Sequence, residues 1–194
     1  MRYPGKVAEL FPLFLRLTGR TVLVVGAGSV GTRKIEELIA AGAQVRVVAP
    51  HASFAALAHA TAGKIELRGR AFEPADLDGA WLCIAATNDS VANAAIAVAA
   101  EARRIFVNAV DDPVNASAFF ASIIRRPPFL IAISSSGQLP ALSRLLREVL
   151  ERALPEARYI AAARALRKRW RAESVEMGSR FGELLRTLRD LPES

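Results

Sequence analysis

Thr21-Val22-Leu23-Val24-Val25-Gly26-Ala27-Gly28-Ser29-Val30-Gly31 is the stretch whose reading decides the fold. Thr21–Val25 is apolar and mostly β-branched, with no polar alternation. Such a run suits a strand of a parallel sheet buried on both faces. The glycines that follow are spaced Gly26-x-Gly28-x-x-Gly31. Alone this spacing is a weak signal. Directly after a strand and at the opening of a helix it fits a dinucleotide-binding turn. Gly26 makes the tight turn, Gly28 lets the backbone approach a pyrophosphate, and Gly31 lets helix and strand pack closely. Ser29 and Val30 would present backbone N–H groups at the helix start, where the helix dipole favours anions.

Working outward, Val30, Ile35, Leu38 and Ile39 form the apolar positions of a helix that Gly42 ends. Val45–Ala49 reads as a second strand, closed by Pro50. Strand, turn, helix and strand make a βαβ unit with a right-handed crossover. A second strand that binds the ribose diol of NAD ordinarily ends in Asp or Glu. Here the residues are Ala49-Pro50-His51, so spacing alone does not choose between NAD and NADP. Pro50 and His51 fall where the adenosine ribose is expected. His51 is either a ribose contact or an exposed loop histidine.

The alternation continues. Ile65–Leu67, Trp81–Ala86 and Ile105–Val110 read as strands, and Ser90–Arg103 reads as an alanine-rich helix. Together they predict an α/β, Rossmann-like parallel sheet over residues 1–113. Ligands gather at the carboxyl ends of such strands. Thr87, Asn88 and Asn108 are therefore candidate contacts on the nicotinamide side. Asn88, Asp89 or Ser90 also suits the cap of the next helix. Asp111 and Asp112 follow the fifth strand: Asp112-Pro113 suits a turn, which leaves Asp111 as the candidate general base. No His–Ser or Cys–His pairing points to a covalent nucleophile.

The character changes after residue 113. Ser117–Ile124 and Phe129–Ser134 read as two strands with no helix between them. Pro140 opens a helix with Leu142, Leu145, Leu146, Val149 and Leu150 on one face, and Pro155 breaks it. Two helices follow, one striped with Tyr159, Ala163, Leu166 and Trp170. The other carries Met177, Phe181, Leu184, Leu185 and Leu188. Residues 151–194 are too few to bury both stripes alone, so the stripes pack on the rest of the chain or on a second subunit. Ser134-Ser135-Ser136-Gly137 precedes the Pro140 helix, and serines there bind carboxylates or cap the helix. The resulting division is a small mixed region over 114–150 and a C-terminal helical domain over 151–194.

Composition narrows the class. The chain has 194 residues, 52% apolar and 23% charged, which excludes a disordered chain. No apolar stretch approaches the roughly 18 residues of a membrane span, and no secretory signal opens the sequence. A single cysteine, Cys83, and two histidines, His51 and His59, leave no disulfide and no resident metal site to expect. The cytoplasm is the expected compartment. Net charge is +7, and residues 114–194 hold most of it, with 14 Lys/Arg against 8 Asp/Glu. A basic back half points to an anionic partner or to a solvated arginine-rich face.

The motifs Phe11-Pro12-Leu13-Phe14-Leu15, VLVVGAGSVGTRK, AGAQVRVVAP, IAATND, FVNAVDD and ISSSGQLPALSRLLRE occur in this order. Over about residues 9–155 the sequence resembles the siroheme synthase N-terminal family, the precorrin-2 dehydrogenases that often carry sirohydrochlorin ferrochelatase activity. The acid-free VVAP strand end is usual there. The resemblance implies NAD as cofactor and a homodimer built through residues 114–150. It implies oxidation of precorrin-2, an eight-carboxylate tetrapyrrole, to sirohydrochlorin, with Fe2+ as substrate of a second reaction. Asp111 matches the family's catalytic aspartate. Ser29, Val30, Pro50 and His51 match NAD-contacting positions. Ser135 matches a serine of the tetrapyrrole region that is phosphorylated in some members. Two departures stand in that region: Ser117-Ala118-Phe119 replaces the usual Ser-Phe, and Ser136-Gly137 replaces Gly-Gly. No methyltransferase domain follows, which resembles the stand-alone form.

The competing class is a non-enzymatic NAD(P)-sensing module with a basic anion- or nucleic-acid-binding tail. Its support is Arg164-x-x-Arg167-Lys168-Arg169-Trp170-Arg171. No helix-turn-helix or RNA-binding aromatic motif accompanies that run, and Trp170 falls on the apolar stripe. Nucleic acid and membrane are accordingly not expected partners.

Overall fold

The computed structural model describes residues 10–136 and 138–191; Gly137, one of the expected anion-binding residues, lies outside them. The chain divides into two compact units. One comprises residues up to 120 together with Ser136 and Gln138, and the other 121–135 with 139 onward.

The first unit runs β1 (Thr21–Ala27), α1 (Ser29–Ala40), β2 (Gln44–Ala52), α2 (Phe54–Thr61), β3 (Ile65–Arg68), a 3-10 turn (Pro74–Leu77), β4 (Leu82–Ala85), α3 (Ser90–Ala102) and β5 (Phe106–Ala109). All five strands are parallel, in the order β3-β2-β1-β4-β5. This is the Rossmann-like sheet that the sequence predicts. β1 is central because both of its faces are apolar. Val22 and Val24 pack with Ile35 and Leu38 of α1, while Leu23 and Val25 pack with Leu77, Ile96 and Val107 on the other side. Cys83 of β4 is fully buried, and burial pushes its thiol up to about 12, which removes it from thiolate chemistry.

Several boundaries differ from expectation. β2 does not stop at Pro50 but runs to Ala52, and Ala27 pairs with Ala52 after a shift in register past Val25. Proline is tolerated where the ladder is irregular and no N–H is required. Trp81 lies outside β4 and is 60% exposed, with the Arg20 guanidinium 3.6 Å from its ring centroid. Ser117–Ala121 is not strand. Instead the Ser117 and Ala118 N–H groups both donate to the Val107 carbonyl, at 2.8 and 2.9 Å, which turns the chain back along β5.

The β3 edge is closed by a polar clamp. Asp76 is fully buried and accepts from Arg68 Nη1 (2.7 Å), Arg70 Nη2 (2.7 Å), Arg70 Nη1 (2.8 Å) and the Glu73 N–H (2.9 Å). Arg46 Nη1 donates to the Asp76 carbonyl at 3.0 Å. The Arg70 hydrogen bond, foremost among these contacts, holds the Asp76 carboxyl well below the usual carboxylate range.

The second unit runs β6 (Ser122–Arg126), β7 (Phe129–Ile133), α4 (Pro140–Ala153), α5 (Ala157–Ala172) and α6 (Met177–Arg189). β6 and β7 form an antiparallel hairpin. Leu166 and Trp170 of α5 are buried, and Trp170 Nε1 donates to Glu183 of α6. The apolar face of α4 is different: Leu142, Leu145, Leu146, Val149 and Leu150 are all exposed. No described helix is long and apolar enough to cross a membrane.

Candidate functional site

The order β3-β2-β1-β4-β5 reverses direction between β1 and β4, and at such a switch point ligands bind outside the carboxyl ends of the strands. The end of β1 is the glycine turn. Gly26 has φ +99°, and a Cβ there would be driven into the Ala86 carbonyl; a Cβ on Gly31 would be driven into the Gly26 carbonyl. Both glycines are required by packing. Gly28 is not. Its φ is −72°, which any residue adopts, and a Cβ there would meet nothing within 4 Å. It caps α1 without any side-chain hydrogen bond. The N–H groups of the first turn have no intrahelical acceptors, and Gly28 and Ser29 are exposed beside Val30. Internal packing does not require glycine at position 28, and the space over the exposed helix start is open to the close approach of an outside group. The turn therefore fits the dinucleotide.

The end of β2 is tied to that turn. The Ser53 N–H donates to the Ala27 carbonyl at 2.9 Å, and the Thr32 and Ser53 hydroxyls hydrogen-bond at 2.8 Å. Ser53 also caps α2 by accepting from the Ala56 N–H at 3.1 Å. Pro50 and His51 are exposed on the strand so held. Sequence reasoning missed Thr32 and Ser53, because only the fold brings residues 21 positions apart together.

At the end of β4, Thr87 is drawn inward. Its hydroxyl lies 2.7 Å from Asn93 Oδ1, and Asn93 Nδ2 donates to the Thr87 carbonyl at 3.1 Å. Asn93, 4% exposed, was not a sequence candidate; a polar residue on the alanine-rich face of α3 was the available signal. Asn88 stays exposed. The cap of α3 is Asp89, whose Oδ1 accepts from the Val91 and Ala92 N–H groups at 2.8 and 3.1 Å.

At the end of β5, Asn108 is 8% exposed and donates Nδ2 to the Ala118 carbonyl at 2.9 Å, so it pins the returning chain. Asp112 accepts from the Asn115 N–H and Nδ2 at 3.3 and 2.6 Å, which is the expected turn. Asp111 lies beside it with φ +58°, exposed, and its carboxylate has no partner among the described residues. A non-glycine residue held at positive φ is locally strained, and such residues cluster at functional sites.

Gly26, Gly28, His51, Thr87, Asn88, Asn108 and Asp111 thus share one edge of the first unit. In the second unit, Ser134 and Ser135 follow β7, and Ser135 Oγ accepts from the Leu139 N–H at 3.1 Å at the start of α4. Ser136, with φ +53°, is grouped with the first unit. On α5, Arg169 pairs with Glu173 and Glu183. Arg164, Arg167, Lys168 and Arg171 are exposed and have no carboxylate partner among the described residues.

Residues 13–122 match a protein family whose description is "Putative NAD(P)-binding". The chain is 44% identical over 174 residues to Siroheme synthase 1 of Aeromonas salmonicida (strain A449), covering 89% of this chain and 37% of that protein. It is 45% identical over 175 residues to Siroheme synthase 2 of Yersinia pestis (strain Pestoides F), covering 90% and 37%. The chain thus spans little over a third of the length of these relatives, in their N-terminal part. Among solved structures it is similar to "SirC, precorrin-2 dehydrogenase", with TM-score 0.74 and 24% identity over 93% of this chain and 90% of that one. The resemblance read from the motifs and the Rossmann-like fold are both borne out.

Proposed function

The chain belongs to the NAD(P)-binding family, and from that premise we propose that it oxidises precorrin-2 to sirohydrochlorin with NAD. One observation carries the reading: an open glycine turn and a strained, unpaired carboxylate stand on the same edge of one sheet. β1 and β5 flank β4, so their ends lie about 10 Å apart. The relatives named siroheme synthase support tetrapyrrole as the substrate class.

The turn Gly26–Gly31 holds the pyrophosphate through backbone N–H groups, with Ser29 and Val30 at the helix start. Pro50 and His51 border the ribose, and Thr87, Asn88 and Asn108 shape the nicotinamide side. A bound nicotinamide dinucleotide supplies hydride acceptance. Asp111 takes up the proton that the macrocycle loses when its hydride leaves. Its freedom from ion pairs keeps the carboxylate available as a base. Ser134, Ser135, Ser136 and Gly137 are the proposed carboxylate contacts. The unpaired cations of α5 suit a substrate with many carboxylates.

Two extensions belong to the same proposal. Fe2+ is the second substrate: its entry into sirohydrochlorin displaces two pyrrole protons, one accepted by Asp111 and the other released to water. The assembly is a cytoplasmic homodimer formed through residues 114–150, with 1–113 as the cofactor domain and 151–194 as the helical domain.

The test is NADH formation from precorrin-2 by wild type and Asp111→Ala, with Fe2+ insertion into sirohydrochlorin followed in parallel. We expect the variant to lose at least about a hundredfold in oxidation rate, the lower range for removing a general base. Equal rates would remove Asp111 from the mechanism. Iron insertion no faster than the spontaneous reaction would limit the protein to dehydrogenation.

A further inference from the structure

We infer that Ser117 is a positioning residue for Asp111: its hydroxyl closes the loop that carries the aspartate and fixes where the carboxylate stands. The inference rests on the proposed oxidation, in which Asp111 is the base.

β5 is an edge strand of the five-stranded sheet. Val107 turns its N–H and carbonyl to the open side of that strand, and an edge of this kind needs a cover. Ser117 meets both groups. Its Oγ accepts from the Val107 N–H at 2.9 Å, and its own N–H donates to the Val107 carbonyl at 2.8 Å. The chain between these two residues is thereby a closed loop, and Asp111 lies in it.

Other contacts brace the loop and the chain that leaves it. Asp112 holds Asn115 within the loop. Beyond Ser117, Asn108 Nδ2 holds the Ala118 carbonyl at 2.9 Å, and Lys34 Nζ stands 3.7 Å from the centroid of the Phe120 ring. Lys34 is buried on α1 and pairs with Glu37 at 2.9 Å. At the end of the loop itself, the Ser117 and Ala118 N–H groups reach one atom, the Val107 carbonyl oxygen. Bonds that share one acceptor act as a pivot. The Ser117 hydroxyl adds a second point of attachment and opposes that rotation. Asp111 depends on it, because a φ of +58° is costly for a residue with a side chain and lasts only where the surroundings enforce it. A base displaced by about 1 Å loses much of its effect.

The experiment is steady-state oxidation of precorrin-2 with NAD by wild type, Ser117→Ala, Ser117→Thr and Ser117→Val, the last two differing in one hydroxyl. Ser117→Ala and Ser117→Val should lower kcat about tenfold and leave both KM values within about threefold of wild type. Ser117→Thr should keep kcat within about threefold. Added to Asp111→Ala, Ser117→Ala should cost no more than about a further twofold, since no carboxylate is left to misplace. Ser117 is exposed and the bonds to the Val107 carbonyl remain, so thermal unfolding should stay near that of wild type. If Ser117→Ala does not fold, the comparison of Ser117→Thr with Ser117→Val decides. Unchanged kcat in Ser117→Val, equal losses in Ser117→Thr and Ser117→Val, or the same loss with and without Asp111 overturns this inference and leaves Asp111 as the base. Wild-type kcat in Asp111→Ala overturns both.

Discussion

Gly28 is the residue at which an absent side chain says most. Gly26 and Gly31 are glycine for the protein's own packing, so substituting them confounds folding with binding. Gly28 separates the two, since a side chain there has room and an ordinary backbone. Gly28→Val should therefore keep wild-type thermal stability while weakening dinucleotide binding at least about tenfold. Calorimetric titration beside a thermal melt checks both halves. Asp111 makes the complementary case. Its neighbour Asp112 is fully occupied by Asn115, so two adjacent aspartates divide into one that builds the loop and one that remains free to react. The sequence made this division legible through Asp112-Pro113, whereas the positive φ of Asp111 came only from the structure.

At the scale of elements, the β3 edge depends on Asp76, the buried carboxylate that joins the strand end to the 3-10 turn. Asp76→Asn removes the charge that two guanidinium groups surround. The expected loss is about 2–3 kcal/mol, below that of a fully enclosed pair because Arg68 and Arg70 reach water. The pH dependence follows from the direction of the shift. The folded protein holds the Asp76 carboxyl below its unfolded value, so the folded state binds this proton more weakly. The contribution is complete above the unfolded pKa of about 4 and is lost as pH falls below it. Urea unfolding at pH 6 and pH 3 should show the gap between wild type and Asp76→Asn narrowing at the lower pH, since the loss is complete only below the folded value. A gap of equal size at both values would show that the clamp does not act through its charge.

At the scale of the molecule, an apolar face of the second unit stands exposed among the described residues. The five exposed leucine and valine side chains on one face of α4 exceed what scattered surface apolar residues explain. The proposed homodimer would cover them. Wild type should then sediment as a dimer, and Leu145→Glu combined with Val149→Glu should sediment as a monomer with unchanged helical circular dichroism. A monomeric wild type would refute this assembly.

While α2 (Phe54–Thr61) has no counterpart in the sequence reading, local sequence determined the parallel sheet, the glycine turn and the starts of α1, α3 and α4. Each is encoded over fewer than about 20 residues by burial periodicity, glycine conformation and capping. It determined the charge asymmetry outright. The tertiary structure decided what sequence distance conceals: β2 passing Pro50 to reach Ala27, Asn93 holding Thr87, Thr32 holding Ser53, and the chain after Asp111 returning onto Val107. These contacts join residues whose partners are chosen by packing across the sheet, and no local pattern records that choice. The same physics separates Gly28 from its two neighbours in the motif. The spacing makes all three look alike, but only the packed fold shows that Gly26 and Gly31 are required by internal contacts while Gly28 is not.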